Sequence, residues 1–190
     1  VLEYSMVFQN IAVSGRIAVG ASTLAKTLTQ KLGWPLRDAS QIFRDVTAQM
    51  GFNLETDVSQ AVENRDDLID KEVDDKTLAV LKENHHVVVT SKLAGFLSQD
   101  ISHTFRILII CPQEKRIHRY AASRGYSPDK AKELLILRER LDQQKWERLY
   151  GKQDFFAPAN FHLVIDSGRL SLEEEVELVL RHLNLTQNLC

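Results

Sequence analysis

Cysteine is scarce in this sequence: Cys111 and Cys190 are the two among 190 residues. Two thiols make no disulfide framework, and their spacing offers no metal site. The six histidines show no metal spacing either, and His85-His86 reads as a surface pair just before a strand. No apolar run approaches the roughly 20 residues of a membrane span, and no signal-peptide pattern is visible at the start. Excess basic charge is also lacking. Lys and Arg number 24 against 26 Asp and Glu, a net charge of −2, which argues against binding to a nucleic-acid polymer. Internal repeats and low-complexity tracts are absent. These absences predict one domain, 44% hydrophobic and 26% charged, in a reducing, cytoplasmic setting. Cys111 ends "ILIIC" and reads as a core thiol.

Charge is unevenly spread. Residues 106–148 hold 11 Lys and Arg against 6 Asp and Glu. A basic segment on an acidic body suits a small anionic ligand.

Apolar runs alternate with helical patterns. Strands are predicted at 10–13, 35–38, 86–91, 105–111 and 162–166. Helices are predicted between them, with Leu24, Leu28 and Leu32 marking the first and residues 65–84 a long amphipathic one. Gly33 and Gly51 read as helix stops. Two more helices span about 113–123 and 128–149, and Ser171 with Glu174 forms a capping box for the last. Such alternation predicts an α/β domain with a parallel sheet of about five strands, flanked by helices on both faces. Ligands bind such sheets at the carboxyl ends of the strands. Trp34 and Trp146 read as packing residues.

Residues 15–22 read G-R-I-A-V-G-A-S, which matches G-x-x-x-x-G-K-[ST] at every fixed position but the lysine. Gly15 and Gly20 allow the backbone to approach phosphate. The intervening Arg16, Ile17, Ala18 and Val19, with Ala21, offer their N–H groups, and the following helix adds partial positive charge. Ser22, with Thr23 beside it, is the expected Mg²⁺ ligand. Ala21 cannot supply the lysine's charge to the β- and γ-phosphates. Arg16 is the candidate substitute, because a guanidinium binds phosphate through two parallel hydrogen bonds.

Further segments follow in order: "DASQIFRD" (38–45), "TSKLAGF" (90–96), "CPQEKRIHRYAASRGYS" (111–127), "RERLDQQKWERLYG" (138–151) and "HLVIDSGRLSLEE" (162–174). Together with the loop they resemble the cytidylate kinases, especially the short archaeal type among the P-loop nucleoside monophosphate kinases. The resemblance spans about residues 10–183. It implies a P-loop kinase fold, an NMP-binding region at about 38–64 and a helical lid at about 114–148. It also implies transfer of the ATP γ-phosphate to CMP or dCMP with Mg²⁺. The expected partners are nucleotides alone, with no membrane, and a monomer is favoured.

By the same resemblance, Arg44 grips the acceptor phosphate and Asp38 lies near metal and acceptor; a helix cap is the alternative for Asp38. Lys92 stands where the family has an arginine. Arg138, Asp142 and Lys145 match an Arg…Asp…Arg set for acceptor phosphate and cytosine. Their i, i+4, i+7 spacing puts them on one helical face, as it would a surface ion pair. Arg116, Arg119 and Arg124 match lid arginines, with Arg119 and Arg124 expected over the transferring phosphoryl group. Two departures face the same phosphates: Ala21, and Thr90-Ser91-Lys92 where the family has an acidic-Gly-Arg run. The alternative reading is a catalytically impaired relative that binds nucleotide in a regulatory role.

Overall fold

The computed structural model describes residues 8–49 and 67–187. The strands are β1 (Asn10–Gly15), β2 (Leu36–Asp38), β3 (Val87–Thr90), β4 (Thr104–Ile110) and β5 (Leu163–Asp166). The helices are α1 (Ala21–Leu32), α2 (Ala39–Gln49), α3 (Asp67–Glu83), α4 (Ala94–Leu97), α5 (Gln113–Arg124), α6 (Pro128–Tyr150) and α7 (Leu172–Gln187). The strand order is β2-β3-β1-β4-β5, and every pairing is parallel. All five strands therefore end on the same edge, where the predicted loop and its companion segments lie.

Each predicted strand and helix within the described residues is present. The sequence reading missed α4 and a 3₁₀ turn at Pro158–Asn160, both too short to show a period. Gly51 and most of the region 38–64 lie outside the described residues.

The central strand explains the two-sided packing. Ile11 and Val13 face α1 and α7, in a core with Leu24, Leu28, Val176 and Val179. Ala12 points the other way, toward Leu81, Val87, Val89 and Ala94. This is the period of two expected of a strand covered on both faces. Asn10 is fully buried, yet its side chain donates to Leu81 O and Asn84 O and accepts from Val87 N, so no polar atom is stranded.

Helix ends follow their sequence signals. Ser171 Oγ accepts from Glu174 N, and Glu174 Oε2 accepts from Ser171 N at 2.7 Å. Ser127 Oγ caps α6 by accepting from Lys130 N, with Pro128 in the first turn. Trp146 is buried against Leu93 and Phe155, and Cys111 is half-buried against the main core.

Candidate active site

The phosphate loop leaves β1 at Gly15 and enters α1 through Gly20. A Cβ on Gly15 would lie 2.6 Å from both Ile109 O and Val19 Cγ2, so only glycine fits against β4. Gly20 has φ 100°, a left-handed value that side chains disfavour. Ala18 also adopts a positive φ of 60°. The loop is rooted from below: buried Ser14 Oγ accepts from Gly95 N at 2.7 Å, tying β1 to α4. Ala21, at the lysine position, packs its methyl against the main core. Ser22 and Thr23 are exposed in the first turn of α1.

Arg16, the candidate substitute for the lysine, contacts an aromatic ring. Its guanidinium lies 4.8 Å from the centroid of the Phe156 ring, and it faces a cavity of about 460 Å³ lined by Gln113, Glu139, Arg140 and Asp154. It also borders a second cavity with Val19 of the loop, Ile109 and Phe156. The guanidinium beside Gly20 belongs to Arg119, whose Nη1 is 3.7 Å from where a Gly20 Cβ would stand.

Arg119 is firmly placed. Its Nη1 donates to Val19 O at 3.1 Å and to Ser167 Oγ at 2.9 Å, and Nη2 donates to Ser167 O at 2.7 Å. Ser167 Oγ in turn donates to Val19 O at 2.6 Å. Buried Glu175, on α7, feels the Arg119 charge; its own burial pushes its carboxyl above the ordinary range, and Arg119 opposes this. Arg116 is buried and plays a bracing part. It donates to Ile17 O and pairs with Glu139 of α6. Arg124 ends α5 in an exposed position.

The predicted lid, α5 and α6, sits directly on the loop. Ile17 and Ala18 pack against a cluster of Tyr120, Ala121, Ala131 and Leu135. The contact is hydrocarbon, with Arg116 and Arg119 bonded to loop carbonyls at its border.

Around α6, three of the predicted residues are held in two ion pairs. Lys92 pairs with Asp142 and lies over the Trp146 ring, and Lys145 pairs with Asp70 of α3. Asp142, Lys145 and Asp70 are all buried, as charges can be only when paired. Arg138, on the same face of α6, donates to Tyr120 Oη at 3.1 Å. Asp38 takes the capping alternative, accepting from Ser40 N at 2.7 Å. Arg44 is exposed on α2 and donates to Gln41 Oε1. The structure thus sets Lys92 on Asp142 and Lys145 on Asp70, with Arg138 one turn from Asp142.

The sequence of this chain matches the model of the cytidylate kinase-like family over residues 10–169. The chain belongs to the cytidylate kinase-like family. A cytidylate kinase of Sulfolobus acidocaldarius is 30% identical over 170 residues, covering 90% of this chain and 91% of that protein. One from Saccharolobus islandicus is 28% identical over 175 residues, covering 92% and 90%. In fold, the chain is similar to a shikimate kinase from Bacteroides thetaiotaomicron, at TM-score 0.62 and 14% identity, covering 93% and 98%. Within this cytidylate kinase-like chain, sequence reasoning missed Ser167, Asp70, Glu139 and Glu175. Ser167 had a signal, since it follows β5 at the ligand-binding edge. Asp70 had none: its partner is 75 positions away on another helix.

The oxygen donors near the loop bear on magnesium. Ser22 and Thr23 offer hard oxygens at the start of α1. Ser91 Oγ, after β3, is buried without a hydrogen-bond partner among the described residues. No group of three His, Cys, Asp or Glu among the described residues could hold a metal. This set fits an ion carried chiefly by phosphate oxygens and water. No described helix is long and apolar enough to cross a membrane.

Proposed function

We propose that this chain is a nucleoside monophosphate kinase that transfers the ATP γ-phosphoryl group to CMP or dCMP. The observation that carries the reading is the phosphate loop bonded through Val19 O to Arg119. An arginine thereby stands beside the glycine that precedes the absent lysine. The cytosine preference rests on the cytidylate kinase relatives.

ATP phosphates would lie along Gly15–Thr23, with Ser22 the protein ligand of Mg²⁺; the ion neutralises charge on the phosphate oxygens. Three of the five Arg119 N–H groups are committed to Val19 and Ser167, which fixes the guanidinium plane and leaves two donors for phosphate. Arg124, at the exposed end of α5, would join Arg119 over the γ-phosphate with the hairpin seated on the loop, while Arg16 would stay on Phe156. The acceptor would lie between Arg44, Lys92 and the Arg138–Asp142–Lys145 face, with Asp142 orienting Lys92. An oxygen of the acceptor phosphate forms the new bond to the γ-phosphorus. The bond to the β–γ bridging oxygen breaks, and ADP leaves. That oxygen is already a nucleophile, so alignment and charge do the catalysis.

The test is direct. Purified protein is incubated with Mg-ATP and each of CMP, dCMP, UMP and AMP, and the diphosphates are quantified. CDP and dCDP are expected. Nucleotide binding without any diphosphate would overturn the reading in favour of a disabled relative.

A further inference from the structure

Along the seam between α3 and α6, Asp67 forms a two-pronged pair with Arg148, both bonds 2.8 Å. One turn on, Asp70 pairs with Lys145. A further turn on, Asp74 accepts from Tyr150 Oη at 2.6 Å. The outer two have an evident structural use: they are partly solvated stitches between helices. The central pair differs. Lys145 is 5% exposed and Asp70 9%, so two charges are withdrawn from water. Such pairs seldom add stability, because desolvation offsets the attraction. Their persistence calls for another role.

Placement supplies one. Lys145 shares a face of α6 with Arg138 and Asp142, the face assigned above to the acceptor. Asp70 lies on α3, the element that follows the region 38–64. A carboxylate and a phosphate present the same kind of oxygen to an ammonium group. One cannot take the direction that the other holds. Lys92 is arranged differently: its carboxylate partner is Asp142, on the acceptor face itself, and its side chain is 34% exposed.

We infer that Asp70 is a built-in competitor of the acceptor phosphate, holding Lys145 until the phosphate displaces it. Asp70 is then a positioning residue acting through Lys145. The exchange frees α3 from the middle of the seam as the acceptor enters, coupling occupancy to the arrangement of the acceptor region. The inference rests on the 138–145 face being the acceptor site, as proposed above.

The experiment uses the full chain and CMP, read by calorimetry and by steady-state kinetics. Asp70→Asn should tighten CMP binding about fivefold or more and lower the CMP KM alike, leaving the ATP KM unchanged. The double variant Asp70→Asn/Lys145→Met avoids a stranded buried carboxylate and should bind CMP more weakly than wild type. Asp67→Asn, which breaks the neighbouring stitch alone, should leave CMP affinity unchanged. Unchanged or weaker binding by Asp70→Asn overturns the inference. So does a double variant as tight as Asp70→Asn, because the gain would not run through Lys145. Thermal melts verify folding, and Asp70→Ser replaces Asp70→Asn if the amide is not tolerated. Wild-type protein that binds no nucleotide removes the kinase reading and the inference with it. CMP binding with no gain in Asp70→Asn removes the inference alone.

Discussion

Ser167→Ala deletes one hydroxyl where the phosphate loop, β4 and Arg119 meet. Ser167 is 4% exposed, and its Oγ makes two short bonds, donating to Val19 O at 2.6 Å and accepting from Arg119 Nη1 at 2.9 Å. A neutral hydrogen bond contributes about 0.5–1.5 kcal/mol and one from a charged donor about 1.5–3. Neither partner is orphaned by the change. Val19 O keeps Arg119, and Arg119 keeps Ser167 O. The loss should therefore sit toward the low end, about 2 kcal/mol, or roughly 4–8 °C in Tm for a chain of this length. Kinetics should respond selectively. Arg119 falls from three anchors to two, and about 1 kcal/mol of lost alignment raises the ATP KM roughly fivefold. The KM for the acceptor should not move, because the acceptor is assigned to Lys92 and the Arg138–Asp142–Lys145 face of α6, whose bonds do not run through Ser167. Calorimetric melts and initial rates at saturating acceptor measure both effects. A Tm within about 1 °C of wild type, with the ATP KM unchanged, would refute the reasoning and leave Arg119 placed by its helix alone.

Two further outcomes follow from the same geometry. Arg16→Ala should cost only the stacking on Phe156, about 0.5–1 kcal/mol in urea denaturation, with ATP affinity within about twofold of wild type; a loss above about tenfold would place the Arg16 guanidinium in the phosphate site after all. His162 is held down to about 4 by burial and by the charge of Arg106, with its Nδ1 accepting from Arg106 N. The unfolded chain, with an ordinary histidine near 6.5, therefore binds more protons between those values, so stability falls as pH drops from 6.5 toward 4. Allowing for screening of a half-buried ring, the loss is on the order of 1–2 kcal/mol. Urea titrations at stepped pH should show this slope in wild type and lose it in His162→Asn.

The sheet was legible because its inner strands are largely buried on both faces and advertise themselves as short apolar runs, such as "VVVT" and "FRILII". Caps were legible because their chemistry is local, as Ser171 and Glu174 show. The loop was legible by motif. Side-chain direction was not. Arg16 stands next to Gly15, so adjacency suggested that it fills the gap at Ala21. Its contact with Phe156, 140 positions on, could not be read from adjacency. Arg119 could be named as a lid residue, but its bonds to Val19 and Ser167 depend on three segments meeting. The spacing of Arg138, Asp142 and Lys145 correctly put them on one face. It could not reveal that Asp70 and Lys92 come from other elements to partner that face.

The hydrocarbon contact between Ile17, Ala18 and the α5–α6 hairpin has a thermal consequence. Lifting the hairpin from the loop would wet apolar surface that is now dry, which gives the opening step a positive heat capacity. The balance between lifted and seated hairpin would then vary with temperature in a curved way. Cooling would weaken the grip, since apolar association loses strength toward low temperature. If opening limits product release, a plot of the logarithm of turnover against inverse temperature should bend, with no part of the bend due to unfolding.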